Sequence, residues 1–166
     1  VSLIYSIYWG FGSGLASDRY GILFQNRGAG FSLEAGHPNE AAGGKRPMHT
    51  IIPAMLGEKG RVIMPFGVMG GAYQPAGHAR FVTNLRSYGM DLQTAIDAPR
   101  SFPGPKGLEL ERGYPQAVRD ELATLGHSVI VPDGPLGGAQ AIFLDDARGI
   151  LQGASDPRKD GIALGY

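Results

Sequence analysis

The chain contains no cysteine among its 166 residues. This absence excludes disulfide bonds, zinc ribbons and thiol nucleophiles. It leaves the localisation open, because a cysteine-free chain suits the cytoplasm and the periplasm equally well. Long apolar runs are also lacking: none approaches the roughly 18 residues of a membrane-spanning helix, so no membrane partner is expected.

An excess of either charge is absent as well. Lys plus Arg total 15 and Asp plus Glu total 15, so the formal net charge is +0. A balanced charge gives no electrostatic reason to expect nucleic acid or an anionic membrane as a partner. Because 43% of the residues are hydrophobic and only 18% are charged, the chain is long and apolar enough to bury a core.

Glycine and proline, by contrast, are abundant, with 27 and 12 residues, which favours strands joined by tight connections. Alternating residues predict a strand over residues 1–8 and a shorter one over residues 22–26. Residues 27–47 have no period and are predicted to be a loop that is either functional or packed against something outside this chain. Two apolar runs separated by "GEKG" at residues 57–60 predict a β-hairpin.

Helical spacing, caps and stop residues predict three helices, from Pro75 to Tyr88, from Asp91 to Ala98 and from Pro115 to Leu125. Further strands are predicted in four segments, "LELERG" (108–113), "SVIVPD" (128–133), "AQAIFLDD" (139–146) and "GILQGASD" (149–156). Strands, then helices, then strands indicate an α+β fold rather than regular βαβ alternation.

Three glycines, Gly67, Gly70 and Gly71, lie in "MPFGVMGGAY" between an apolar strand and a helix. A phosphate-binding P-loop needs Lys and Ser or Thr after its last glycine, and a dinucleotide fingerprint needs a different glycine spacing, so neither fits. Two interpretations remain open. The turn either offers free N–H groups to an oxyanion, since glycine lets a carbonyl oxygen approach closely, or it is a tight turn without chemistry.

No nucleophile or metal site is evident from spacing. Ser13 in "GFGSG" is flanked directly by glycines and therefore does not match the G-x-S-x-G nucleophile elbow. No two of the four histidines, His37, His49, His78 and His127, have metal-ligand spacing, so no metal is expected.

Several segments together resemble the small subunit of the γ-glutamyltranspeptidase family of N-terminal nucleophile hydrolases. They occur in the family's order and span essentially the whole chain. They are "FGSG" (11–14), "GILFQNRGAGFS" (21–32), "KRPMHTIIPAM" (45–55), "FGVMGG" (66–71), "DAPR" (97–100), "GASDPRKDG" (153–161) and the terminal "GY".

The resemblance implies a four-layer αββα sandwich with two stacked, mainly antiparallel sheets. It also implies a precursor that cleaves itself before a threonine, whose hydroxyl then attacks an amide carbonyl while its own α-amine serves as the base. In the family that threonine lies on a strand just upstream of the one that here begins at Val1. Residues 1–166 are therefore expected to be a small-subunit domain truncated at its N-terminus, inactive by itself. The resemblance implies that no cofactor is needed.

By the same resemblance, Gly70 and Gly71 match the glycine pair whose N–H groups hold the oxyanion. Ser6 matches a threonine whose hydroxyl contacts the nucleophile, the alternative being a polar residue on a strand face. The expected partners are the large subunit of the same precursor and a small-molecule amide, as in glutathione metabolism.

The sequence departs from the family pattern where the substrate binds. Gly30 replaces an aspartate that holds the substrate's α-amino group, and Arg27 replaces a neutral amide. His49 and Thr50 replace a serine pair that contacts the substrate carboxylate, and Tyr8 replaces an asparagine. Arg27 suits a carboxylate, so the departures favour an acyl group without the α-amine, such as the glutaryl type that fits cephalosporin-acylase-like members of the family, or another amide altogether. The alternative for Arg27 is a loop arginine that bridges to the large subunit.

The sequence thus predicts part of an amide hydrolase or acyltransferase. The competing hypothesis is a non-catalytic binding or vestigial domain that retains the fold.

Overall fold

The computed structural model describes residues 1–165. They form two compact units, one made of Val1–Ser2 with residues 52–165 and the other of Leu3–Ile51. No helix in the described part of the chain is long and apolar enough to cross a membrane.

The larger unit carries the helices and strands of the fold. Their bounds are β1 Pro53–Glu58, β2 Arg61–Met69, α1 Gln74–Arg86, α2 Leu92–Asp97, β3 Ser101–Gly104, β4 Gly107–Leu110, α3 Gln116–Thr124, β5 Val129–Ile130, β6 Gly138–Asp145 and β7 Ile150–Ser155. An antiparallel sheet has the strand order β1-β2-β6-β7, and a smaller sheet has the order β3-β4-β5, in which β4 and β5 are parallel. The α+β prediction is confirmed.

The predicted hairpin is present, but its turn is shorter than the four residues expected. β1 and β2 pair up to Glu58 and Arg61, so only Lys59 and Gly60 form the turn. Their φ angles of 49° and 77° are both positive, as a type I′ turn requires. Glycine meets that requirement without strain, and the turn therefore matches the twist of the two strands.

One face of the larger sheet is covered by α1 and α2. Met64, Phe66 and Val68 alternate along β2 and are all buried, as the period-2 geometry of a strand predicts. The ring of Phe81 on α1 lies 5.3 Å from that of Phe66. Met64, Phe66, Val68 and Phe81 belong to the core that fixes the strand before the glycine turn and the helix after it.

The other face of this sheet is also apolar but remains exposed. Register places Met55 opposite Pro65, and Leu151 opposite Leu144. Met55 is 53% exposed, Ile142 45% and Leu151 71%. An apolar sheet face of this kind is typical of an interaction surface.

The smaller unit has little regular structure. It contains a 3₁₀ turn at Arg27–Gly30 and two isolated bridges, Ala16 with Leu23 and Ser32 with Glu40. The strand predictions for residues 1–8 and 22–26 are wrong, because the described structure has no strand in either range. Residues 22–24 do exchange backbone hydrogen bonds with residues 13–17, but this pairing is limited to the single bridge between Ala16 and Leu23, which is too short for a strand.

Candidate active site

Gly70 and Gly71 form the connection between β2 and the helical turn that leads into α1. Gly70 has φ 137° and ψ 26°, and Gly71 has φ 57°. A side chain with a Cβ rarely adopts such values, so both positions favour glycine. Both residues are exposed, which leaves the turn accessible from outside the unit.

The N–H groups of this turn are available to a ligand. Within the described part of the larger unit, neither the Gly70 nor the Gly71 N–H donates a hydrogen bond to another protein atom, whereas the Gly70 carbonyl accepts one from the Tyr73 N–H at 3.1 Å. Adjacent free N–H groups in a glycine turn are suited to stabilising a developing negative charge on an oxygen atom.

A third glycine, Gly137, packs closely against the backbone of the turn. A Cβ on Gly70 would lie 2.9 Å from the Cα of Gly137, and a Cβ on Gly137 would lie 2.2 Å from the Met69 carbonyl oxygen. Gly137 has φ 67°. The backbones at the end of β2 and the start of β6 therefore approach each other more closely than side chains would allow.

A buried charged network holds the segment that carries Gly137. Arg100 pairs with Asp156 at 2.5 Å, and Arg158 pairs with Glu111 at 2.7 Å and with Asp156 at 3.2 Å. The two carboxylates also accept N–H groups of this segment, Glu111 from Leu136 and Asp156 from Ala139, and Arg100 donates to the Leu136 carbonyl. The network therefore anchors residues 136–139 directly behind the glycine turn.

The hydrogen bonds and charges of the network lower the pKa of both carboxylates more than burial raises it. Burial raises the pKa of Glu111, but hydrogen bonds from Arg158, Leu136 and Arg100 hold that pKa below its usual range. Burial likewise raises the pKa of Asp156, but the Arg158 N–H and the Arg100 charge bring the net pKa below its usual value. Both groups are therefore ionised at neutral pH.

These four charged residues support the glycine turn from behind, and the sequence interpretation gave them no role. Arg100, Asp156 and Arg158 lie in "DAPR" and "GASDPRKDG", which served there only to support the family resemblance. The sequence did offer a signal for these positions. Two segments that contain Asp and Arg directly follow apolar elements, in a chain in which only 18% of the residues are charged.

In the smaller unit the fold brings three candidate substrate-binding residues together. Arg27 is only 7% exposed; its guanidinium carbon lies 4.6 Å from the centroid of the Tyr8 ring, and its Nη1 donates to Thr50 Oγ1 at 3.3 Å. No carboxylate of the described residues forms a salt bridge with Arg27. A buried guanidinium without an anionic partner is chemically suited to bind a carboxylate.

The other candidates of this unit lie nearby in sequence but make different contacts. The Gly30 carbonyl accepts a hydrogen bond from the Asn39 amide, and a Cβ on Gly30 would find open space or ordinary contacts. His49 is exposed. Ser6 is exposed, and its Oγ accepts the Tyr8 N–H at 3.0 Å. Tyr8 has φ 81°, a value uncommon for a residue with a side chain, so this local contact accompanies a strained backbone.

The candidates are thus divided between the two units. Gly70 and Gly71 belong to the larger one, and the rest belong to the smaller one: Ser6, Tyr8, Arg27, Gly30, His49 and Thr50. Of the four histidines, His78 lies on α1 and packs against Phe66, with ring centroids 5.3 Å apart and Nδ1 2.7 Å from the Gln74 carbonyl oxygen. The terminal "GY" includes Tyr166, which lies outside the described residues.

Comparison with known proteins places this geometry in a family. The family model described as Gamma-glutamyltranspeptidase matches residues 1–166. The chain belongs to the γ-glutamyltranspeptidase family. The resemblance stated from the sequence segments is confirmed.

Three members of the family illustrate the similarity. The oxamate amidohydrolase proenzyme of Klebsiella pneumoniae is 40% identical over 100% of this chain and 33% of its own length. The cephalosporin acylase of Bacillus halodurans has a TM-score of 0.88 and 40% identity over 97% of this chain and 31% of that chain. A γ-glutamyltranspeptidase from Pseudomonas nitroreducens, solved with L-DON, has a TM-score of 0.90 and 25% identity over 100% of this chain and 93% of that chain.

These relatives establish the fold as that of the N-terminal nucleophile hydrolases. Members of the family are hydrolases, transferases and acylases, and the curated relatives are proenzymes. The chain spans about a third of the length of the first curated relatives that it matches, 33% in each case.

Proposed function

We propose that this chain is the small-subunit domain of a self-processing amide hydrolase or acyltransferase. The observation that carries the proposal is the exposed turn at Gly70 and Gly71, whose N–H groups have no protein partner in the described part of their unit. The curated relatives are hydrolases and acylases, which favours a catalytic role for this turn. The partner is then a large subunit of the same precursor, consistent with the share of the proenzymes that the chain covers.

The proposed reaction uses a threonine at the new N-terminus created by self-cleavage. Its hydroxyl oxygen attacks the amide carbonyl, and its α-amine takes the hydroxyl proton. The Gly70 and Gly71 N–H groups stabilise the oxyanion, the C–N bond breaks, and the amine leaves with that proton. Water or an acceptor amine then cleaves the acyl–threonine ester and regenerates the hydroxyl. Ser6 supplies a second hydroxyl beside the nucleophile.

The proposed substrate is the monoamide of a dicarboxylic acid without an α-amino group. Arg27 stacks on Tyr8, donates to Thr50 and pairs with no carboxylate among the described residues. Gly30 supplies no charge that would bind an ammonium group, and His49 is an exposed polar residue. The oxamate amidohydrolase and the cephalosporin acylase, each 40% identical to this chain, support the same substrate class.

The test uses the full-length precursor and three p-nitroanilides: glutaryl, γ-glutamyl, which adds an α-amine, and pentanoyl, which replaces the carboxylate with a methyl group. We expect the glutaryl compound to be the best substrate. Arg27→Gln removes charge-assisted hydrogen bonds worth about 1.5–3 kcal/mol, so kcat/KM for it falls about 10–100-fold. Hydrolysis of the pentanoyl compound stays within about threefold.

Arg46→Gln is the matched control, because Arg46 is an exposed arginine of the same unit. Equal loss on the glutaryl and pentanoyl compounds would assign Arg27 a bridging, structural role instead. A clear preference for the γ-glutamyl compound would overturn the proposed acyl group while leaving the amide chemistry intact. A precursor that neither cleaves itself nor hydrolyses any of the three would support the non-catalytic hypothesis.

A further inference from the structure

Tyr73 lies three residues after Gly70 and ends the short 3₁₀ turn that precedes α1. Its side chain is buried, with 3% of the residue exposed. Its N–H donates to the Gly70 carbonyl oxygen at 3.1 Å and so closes the glycine turn. Nothing in the sequence interpretation or in the proposed reaction assigns this tyrosine a role.

The ring of Tyr73 packs closely against the backbones of three glycines. A Cβ on Gly77 would lie 2.6 Å from Tyr73 Cε1, one on Gly137 would lie 2.8 Å from Cδ1, and one on Gly70 would lie 3.3 Å from Cδ1. All three distances are shorter than ordinary van der Waals contacts. The ring therefore occupies space that only glycine at these positions leaves open.

The far side of the ring faces the buried charged network. Phe102 meets Tyr73 edge-on, with ring centroids 5.7 Å apart and planes at 83°. The guanidinium carbon of Arg100 lies 6.0 Å from the Tyr73 ring centroid, and Arg100 donates to the carbonyl of Leu136, the residue before Gly137. The ring thus fills the space between the ionic anchor and the glycine turn.

The hydroxyl group of Tyr73, unlike its ring, contributes nothing to holding the glycine turn. It is buried and has no hydrogen-bond partner among the described residues. Burial raises the pKa of Tyr73 to about 12, so the hydroxyl stays protonated at neutral pH and cannot serve as a base. The contacts with the turn come from the ring alone.

We propose that Tyr73 is a positioning residue for the oxyanion turn: its ring, held between Gly77, Gly137 and Arg100, fixes the orientation of the Gly70 and Gly71 N–H groups. The inference rests on the proposed function, since it assumes that these two groups stabilise the oxyanion. It goes beyond that function by assigning the alignment of the donors to a side chain that never touches substrate.

The test compares Tyr73→Leu, which removes the ring, with Tyr73→Phe, which removes only the hydroxyl. A donor displaced by about 1 Å reduces the rate about 100-fold. We therefore expect Tyr73→Leu in the full-length precursor to lower kcat for glutaryl p-nitroanilide about 100-fold with KM within about threefold. Tyr73→Phe keeps the ring and should retain kcat within about threefold.

Two ligands separate positioning from simple loss of packing. 4-Boronobutanoic acid forms a tetrahedral adduct with the threonine hydroxyl and places an oxygen in the oxyanion site, whereas glutarate binds without forming one. Tyr73→Leu should weaken inhibition by the boronic acid at least tenfold and change the inhibition constant of glutarate less than threefold. Phe81→Leu, at a buried aromatic residue of α1 that packs against Phe66 and not against the Gly70 turn, controls for a general loss of core packing and should lower kcat much less than Tyr73→Leu.

A second variant covers the case in which Tyr73→Leu does not fold. Gly77→Ala suits a helix interior but places its Cβ 2.6 Å from the tyrosine ring, so it should displace the ring and lower kcat. The inference is overturned if the folded variants lose no more kcat than Phe81→Leu, or if boronic acid and glutarate weaken equally. A wild-type precursor without amide hydrolysis would instead overturn the proposed function, and this inference with it.

Discussion

The guanidinium of Arg27 lies over the Tyr8 ring, 4.6 Å from its centroid, while Tyr8 itself has φ 81°. The guanidinium donates to Thr50 Oγ1 and is 7% exposed. An aromatic face and a hydroxyl therefore orient the cation, and neither neutralises it. The cation is therefore held in place without a carboxylate partner among the described residues, and the proposal that it binds a substrate carboxylate rests on this arrangement.

Tyr8→Leu should weaken binding of the carboxylate-bearing substrate without changing its chemistry. A cation–π contact contributes about 0.5–2 kcal/mol, so KM for glutaryl p-nitroanilide should rise about 2–30-fold while kcat stays within about threefold. Steady-state kinetics of the self-cleaved protein measure both parameters. A fall in kcat with constant KM would show that Tyr8 acts at the reacting atoms instead.

Gly70→Ala should remove most of the activity while the core remains intact. The new Cβ would lie 2.9 Å from the Gly137 Cα, and alanine rarely adopts φ 137°. Loss of an oxyanion donor lowers kcat about 10²–10³-fold. Gly134→Ala is the control: a Cβ there meets no atom within 4 Å, and its kcat should equal that of the wild type. Equal kcat in both variants would contradict the oxyanion role.

The Arg100–Asp156 pair should dominate stability among the ion pairs. Its side chains are 6% and 0% exposed, whereas those of the Arg61–Asp146 pair are 73% and 59% exposed. Breaking a buried pair costs about 3–5 kcal/mol, but a surface pair contributes about 0–1 kcal/mol. Thermal unfolding of the full-length protein should therefore show a large loss for Asp156→Asn and little change for Asp146→Asn. A similar loss in both variants would contradict the assignment.

Acidification should weaken the same network. The pKa values of Glu111 and Asp156 lie below their ordinary values of 4.5 and 3.8, so the folded state binds these protons less readily than the unfolded state. Their contribution to the free energy of unfolding is fully present when the pH is above those ordinary values. It is lost as the pH falls through the lowered pKa values of the folded state. Urea unfolding between pH 7 and pH 3 should show this loss, and Glu111→Gln should reduce the pH dependence. An unchanged pH dependence would exclude Glu111 as its source.

Local patterns predicted those parts of the fold whose determinants are close in sequence. Spacing and end signals placed α1, which spans Gln74–Arg86, and the Asp91 cap of α2, where the Thr94 N–H is accepted at 3.0 Å. β3 was missed because Ser101–Gly104 is short, contains a proline and has no alternating pattern.

Contacts between distant residues could not be read from the sequence. Arg100 and Asp156 are 56 residues apart, and Arg158 and Glu111 are 47 apart, so no periodicity links them. The Tyr73 ring contacts Gly137 only because β2 and β6 pair. The glycine turn itself was recognised because its strand, glycines and helix are contiguous.

The most direct test of the central claim is the intact mass and N-terminal sequence of the product of the complete gene, purified without added protease. We predict two chains, the smaller beginning with a threonine a short distance before Val1. A single uncut chain, or a small chain that begins without threonine, would contradict the proposed nucleophile and the catalytic role of Gly70 and Gly71.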